Sequence, residues 1–492
     1  MATDFDLLLI NPPYHRRRGS GVVFPIGLGY IAAAARLRGY SVDIIDCAPA
    51  FASLHHSVLS RLGPWLKTRL EASRPRLAIG IGPCTTSSVR GTQSVAAVCQ
   101  SVLPGIPLIY GGPLASLPGQ TSLFFDHLSA SAVVPGDGDF VICDILGTLA
   151  SGGDLARLSN VTTKGRVASC NLIGDLDALP FPDRQWEAEG AGYSLSVRRE
   201  LNAGGFATMI RSRGCPHRCK FCVSGYLRDG QYTTRSLRNV VAEIDQLQQS
   251  RNVKAIVFYD DTFFLQPGSL RQEISEIAQL LHTLSQPVVW QAEIRPDVMA
   301  AIDSPTAESL YASGCRQLNV GIEKANTPHV GLLGKQIDID LTKKAIDQIR
   351  RGAPNLRLTG TFILGGPGET RESVNATLEL AKELGLIFAH FYPLEVYPGT
   401  DIYKECFPCD GEVDWLDRIL TDELPWGELI YESPSLTRAD LLNLVKQGYQ
   451  SFYERAEWHS LAHRLLGAHY TQCAQAVAQW AADRFGFAQE GE

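Results

Sequence analysis

The sequence predicts an α/β chain of 492 residues. An open, doubly wound parallel sheet is expected over residues 1–150, a linker over 151–205, a partial (β/α)6 barrel over 206–400 and a mainly helical region over 401–492. Three observations lead there. Short β-branched runs alternate with longer helical patterns in both main segments, which is how βαβ units and parallel sheets read. Glycine- and proline-rich turns follow the strands at regular intervals. The length fits about three domains at roughly 150 residues each.

In the first segment the strands are Leu7–Ile10, Val42–Asp46, Leu77–Ile81, Leu108–Tyr110 and Ala132–Val134, with helices such as Gly27–Arg38 and Val89–Val102 between them. Each strand runs into a small or polar segment: Asn11-Pro12-Pro13-Tyr14, Asp46-Cys47-Ala48, Gly82-Pro83-Cys84-Thr85-Thr86-Ser87, Gly111-Gly112-Pro113 and Gly136-Asp137-Gly138-Asp139. All five fall at the carboxyl edge of one sheet, where doubly wound Rossmann-like folds take ligands. The glycines let a large ligand approach the backbone, although plain turns also favour Gly and Pro.

Residues 151–205, with Leu179-Pro180-Phe181-Pro182-Asp183 and the stretch Gly190–Gly205, read as a linker wrapping between domains. The barrel strands are Ala207–Arg211, Ala255–Tyr259, Val288–Ala292, Gln317–Ile322, Leu358–Leu364 and Ala389–Val396, and chemistry is expected at their carboxyl ends. The last segment carries Trp415, Trp426, Tyr449, Tyr453, Trp458 and Trp480 as core or docking aromatics.

Composition narrows the function. With 45 basic and 52 acidic residues the chain is mildly negative, which argues against nucleic acid and for a small-molecule substrate. No apolar run reaches the ~20 residues of a membrane span, and the first residues lack a secretory leader pattern. A cytoplasmic location is expected, where thiols stay reduced. The 12 cysteines are then candidates for metal binding or catalysis rather than disulfides.

The densest chemistry lies in Arg211-Ser212-Arg213-Gly214-Cys215-Pro216-His217-Arg218-Cys219-Lys220-Phe221-Cys222. Three thiols within eight residues, just after a strand, can curl around one metal centre. Thiolates select zinc or iron–sulfur clusters. Three ligands leave one iron of a four-iron cluster open, as a catalytic centre needs. The bland alternative is a zinc knuckle with a remote fourth ligand. This spacing, with an aromatic before the third cysteine, resembles the signature of the radical S-adenosylmethionine (SAM) superfamily.

That resemblance implies a 4Fe-4S cluster on Cys215, Cys219 and Cys222, SAM chelated by the open iron, and an external electron donor of flavodoxin or ferredoxin type. It implies further that Phe221 lies near the adenine, that Asp260 and Asp261 contact the SAM amino group, and that Glu323 contacts the ribose. Lys324 stands where many relatives carry Ser. Arg295 is the candidate for the SAM carboxylate, and Gly365 and Gly366 flank the adenine, with Thr370 as a helix cap. Tyr397-Pro398-Gly399-Thr400 is similar to the last strand end of cobalamin-associated relatives.

Pro12, the run Pro25-Ile26-Gly27-Leu28-Gly29-Tyr30, Asp46, Thr85, Gly111, Gly112 and Gly136 resemble the cobalamin-binding domain of the methyltransferase-like radical SAM subclass. The usual Gly-Glu-Gly-Glu is Gly136-Asp137-Gly138-Asp139 here, and no Asp-x-His-x-x-Gly motif is present, so base-off cobalamin without a histidine on cobalt is expected. The implied activity is methyl transfer from SAM, by way of methylcobalamin, to an unactivated carbon or a phosphinate phosphorus. Alternatives are a cobalamin-dependent cyclase or ring-rearranging enzyme, a methylthiotransferase using Cys47 and Cys84, and a non-catalytic cobalamin or metal sensor. His15-Arg16-Arg17-Arg18-Gly19 could reach a phosphate or remain a solvated loop, and Cys406 with Cys409 forms a weak metal pair.

Overall fold

A computed structural model describes residues 3–14, 22–51, 56–117, 119–187, 205–325, 331–407, 414–420, 429–467, 470–472 and 475. Five parallel strands form the first sheet: β1 (Thr3–Asn11), β2 (Val42–Asp46), β3 (Ser73–Ile81), β4 (Leu108–Tyr110) and β5 (Ala132–Val133), in the order β2-β1-β3-β4-β5. Leu7 and Leu9 pack on one face while Leu8 and Ile10 pack on the other. Burial on both faces is why β1 reads as a continuous apolar run. Strand order reverses between β1 and β3, so the loops carrying Pro12 and Thr85 flank the topological switch point.

The second sheet has six parallel strands: β6 (Phe206–Met209), β9 (Ala255–Phe258), β10 (Val289–Ile294), β11 (Cys315–Glu323), β12 (Arg357–Leu364) and β13 (Phe388–Pro393), in the order β13-β12-β11-β10-β9-β6. Between β6 and β9 a two-residue antiparallel pair, β7 (Ser212–Arg213) with β8 (Thr233–Thr234), closes the base of a loop. Alternation sorts the side chains. Trp290, Ala292, Ile294, Leu318, Val320 and Ile322 join the apolar core, whereas Gln291, Glu293, Gln317 and Asn319 take the opposite face of the same strands.

Residues 151–187 run along the front sheet: Val133 and Thr162 bridge antiparallel beyond β5, and Trp186 Nε1 donates to Asp43 at 2.9 Å. The carboxyl-terminal helices share the cores of both sheets. Trp415 and Ile419 complete the front core. The helix Arg438–Tyr453 covers β13, where the amides of Ala389 and Phe391 donate to the hydroxyls of Tyr453 and Tyr449, both at 3.1 Å. Edge-strand donors are thereby satisfied by tyrosines rather than left to pair with another chain. No helix among the described residues is long and apolar enough to cross a membrane. The expectations for His15–Gly19, Gly190–Gly204, Cys409, Trp426 and Trp480 lie outside the described residues.

Candidate functional site

The carboxyl edges of the two sheets meet. Asp137 and Asp139, just after β5, bond to Arg213 in β7, and Asp137 also bonds to Arg228, at the far end of the cysteine loop. Leu117 of the front domain comes within 3.5 Å of where a Cβ on Gly399, beyond β13, would stand. Between these contacts lies the loop of Cys215, Cys219 and Cys222. Val223, Tyr226 and Leu227 at its end pack against the front core, and Cys170 donates to the Leu227 carbonyl at 3.2 Å. Gly214, at φ +83°, lets the chain pass 2.2 Å from the Gln231 carbonyl as measured from its implied Cβ, a position closed to any side chain.

The thiols suit a metal cluster. Burial pushes the Cys215 thiol up to about 11, and burial with nearby Asp261 also raises Cys222. Ionising them without a metal is therefore costly. Arg295 Nη1 sits 3.8 Å from the Cys219 sulfur, with its other nitrogens on Asp297. Among the described residues no three such side chains converge as tightly as a single metal ion requires. A four-iron cube holds its thiolates farther apart.

Asp260 and Asp261 divide two roles. Asp260 is buried, and its carboxylate accepts from the amides of Arg211 and Ser212 and from the Ser212 hydroxyl at 2.5 Å. Burial pushes it up to about 7. It holds the start of the cysteine loop. Asp261 is exposed and accepts from the Ser224 hydroxyl at 2.5 Å. It is the member of the pair open to a ligand.

Glu323 has the left-handed φ of +68°, and its carboxylate is paired with Lys335 Nζ at 2.6 Å. Lys335 also donates to the Gly321 carbonyl at 2.7 Å. Lys324 turns the other way, donating to the carbonyls of Ile363 at 3.0 Å and Gly365 at 2.8 Å and to Glu369. It thus staples β11 to the Gly365-Gly366 turn, whose two residues have φ +84° and +134°. Phe221 packs with Ile363, Leu333 and Val396 in an apolar cluster beside that turn.

On the front edge Pro12 is buried, and Thr85 is held by Ser87 and Ser88 at 3.0 and 3.2 Å as the cap of a short turn. Gly111 keeps its edge open: a Cβ there would meet nothing nearer than the Val134 carbonyl at 3.9 Å. At Gly112, φ +106°, an added Cβ would stand 2.6 Å from the Cys84 amide nitrogen. An open, side-chain-free edge fits a large flat ligand. Gly136 is required for another reason. At φ +78° its implied Cβ lies 2.2 Å from the Asn171 carbonyl, so linker packing accounts for it without a cofactor. Cys47 and Cys84 are wholly buried in the apolar core. Sequence reasoning missed Arg213, Arg228 and Lys335, whose partners lie too far along the chain for any local pattern to show.

Comparison with known proteins agrees with this geometry. Residues 209–381 match the model of the radical SAM superfamily, so the barrel is a radical SAM domain. The chain is 26% identical over 460 residues to an uncharacterized methyltransferase of Pyrococcus horikoshii, covering 91% of this chain and 92% of that one. It is 21% identical over 451 residues to the cytidylyl-2-hydroxyethylphosphonate methyltransferase of Streptomyces wedmorensis, covering 81% of each. The solved structure of the radical SAM methyltransferase TsrM from Kitasatospora setae, with cobalamin and a [4Fe-4S] cluster bound, superposes with a TM-score of 0.69 at 18% identity, over 99% of this chain and 100% of that one. That likeness establishes the fold.

Proposed function

We propose that this chain, a radical SAM enzyme over residues 209–381, is a cobalamin-dependent methyltransferase acting on an unactivated carbon, or a phosphinate phosphorus, of a small molecule. The observation that carries the reading is the meeting of the two carboxyl edges at the cysteine loop, through Arg213 with Asp137 and Asp139. A ligand on the front edge then faces the barrel mouth. When bound, the cluster with SAM supplies a hydrogen-abstracting radical and cobalamin supplies the methyl carrier.

The chain's own residues position these partners. Cys215, Cys219 and Cys222 hold the cluster and leave one iron to SAM. Asp261 takes the SAM ammonium, and Arg295 beside Cys219 takes its carboxylate. Phe221 and Ile363 offer the adenine an apolar wall next to Gly365 and Gly366. Glu323 reaches the ribose with its carboxylate already fixed by Lys335. Pro12, Thr85, Gly111 and Gly112 border the cobalamin edge. Electrons come from a flavodoxin- or ferredoxin-type donor, and the substrate enters at the barrel mouth.

Anaerobic turnover with methyl-labelled SAM tests the reading. The expected result is 5′-deoxyadenosine together with label in the product. Turnover and 5′-deoxyadenosine without label would establish cyclisation or ring rearrangement instead. Absence of 5′-deoxyadenosine in reduced, fully reconstituted protein would sink the catalytic reading.

A further inference from the structure

We infer that Arg213 is a positioning residue that couples the front-domain ligand edge to the iron–sulfur loop, through Asp137 and Asp139. The inference rests on the functional reading above, because it concerns how that reading's two cofactor sites communicate.

The contact is unusually complete. Arg213 Nη1 donates to Asp139 Oδ2 at 2.6 Å and to Asp137 Oδ1 at 3.1 Å, while Nη2 donates to Asp139 Oδ1 at 3.0 Å. That is a two-pronged Arg–carboxylate pair with a third bond beside it. Asp137 is shared with Arg228 and with the Ile173 amide at 2.8 Å. The guanidinium lies 5.3 Å from the ring of Tyr30, on the first front-domain helix. All four charged side chains are nearly buried.

Where the pair attaches matters more than its strength. On one side Arg213 is two residues before Cys215, and its neighbour Ser212 is fixed by Asp260. On the other side Asp137 follows Gly136, whose amide donates to Ser116 Oγ at 2.8 Å. Ser116 ends the short helix Pro113–Ser116 that begins right after Gly111 and Gly112. Packed, bonded groups therefore run without a break from the open glycine edge to the first cluster thiol. An ordinary interdomain ion pair could sit anywhere on the interface; this one joins the two motif loops. Lysine could not replace Arg213, since a point charge lacks the planar fork that engages two carboxylates at once. The test measures the coupling itself.

The probe is hydroxocobalamin added to anaerobically reconstituted protein, and the readout is the midpoint potential of the cluster, followed by electron paramagnetic resonance. In the wild type, loading shifts the potential. Asp139→Asn and Arg213→Lys still bind cluster and hydroxocobalamin, but the shift is lost in the first and reduced in the second. Hydrogen exchange of residues 212–232 in the wild type gives a readout that needs no variant: hydroxocobalamin is expected to slow it. Full retention of the shift in Asp139→Asn, or exchange unaffected by bound hydroxocobalamin, overturns the inference and leaves the functional reading standing. A wild type that takes up no hydroxocobalamin overturns both.

Discussion

Replacing Lys324 by Met isolates the contribution of one buried ion pair to the barrel mouth. Lys324 and Glu369 each have only 2% of their side chain exposed. Met fills most of the stem's volume, so the change removes a charge more than it opens a cavity. Two carbonyls, of Ile363 and Gly365, lose a donor. Among the described residues Glu369 keeps a long 3.4 Å bond from Ser373. Removing one partner of a buried pair costs about 3–5 kcal/mol, chiefly through the charge left behind. Met in place of Lys324 together with Gln in place of Glu369 removes that charge as well, and most of the loss is expected to return, leaving a deficit of about 1–2 kcal/mol for the carbonyls. Urea unfolding of the apo-protein, followed by tryptophan fluorescence, to which buried Trp290 in the barrel core contributes, measures both. A second readout is SAM affinity, expected to fall by about tenfold or more because the Gly365-Gly366 turn loses its staple. A single-variant loss below about 1 kcal/mol, or a double variant no more stable than the single, refutes the reasoning.

Alanine at Cys215, Cys219 or Cys222 is expected to abolish the cubane absorption and most bound iron after anaerobic reconstitution, and retention of a full complement in any of the three argues against the ligand set. Alanine at Cys47 or Cys84 leaves iron content unchanged, because both thiols are wholly buried in apolar core; a loss of several irons per chain would revive the methylthiotransferase alternative. Asp260 has its pKa raised from 3.8 to about 7. The folded state therefore holds a proton that the unfolded chain releases, and this contribution is full below the unfolded value and lost as pH rises through the folded one, by up to about 4 kcal/mol. Asp260→Asn should thus gain on the wild type in urea midpoint as pH rises from about 4 to about 7, and a pH-independent difference refutes the assignment.

Much of the architecture was legible because parallel strands advertise themselves as apolar runs bounded by turns. β2 and β4 fall on the residues expected, and the third barrel strand runs past the expected Ala292 to Ile294, which sets Arg295 directly at the mouth. The site was less legible where the outcome depended on direction rather than position. Asp260 and Asp261 are neighbours, and adjacent residues leaving a strand point to opposite sides; nothing local says which one turns inward to Ser212 and which outward. Lys324 was visible as a departure from the family pattern, but not its carbonyl partners some 40 residues away. Tyr449 and Tyr453 read as helical core aromatics. Their hydroxyls cap an edge strand some 60 residues earlier, a long-range match that periodicity does not encode.

The same long-range pairing explains why the mouth can be both highly charged and fixed. Glu323 holds a left-handed backbone, which costs a non-glycine residue of order 1–3 kcal/mol and persists only when its surroundings over-determine it. They do so here, because Glu323 and Lys324 are drawn in opposite directions, the first to Lys335 and the second into the wall at Ile363, Gly365 and Glu369. Arg295 is braced by Asp297, and Arg213 by Asp137 and Asp139. Each charge is thus oriented before any ligand arrives, and little reorganisation is left to be done when a charged ligand binds. Asp261 differs, being exposed, with the Ser224 hydroxyl, two residues past the last cysteine, and the Gly214 amide as its partners. A site built from fixed pairs around one exposed carboxylate and the three thiols of a single loop is organised for a charged ligand, and far less for a neutral one held by shape.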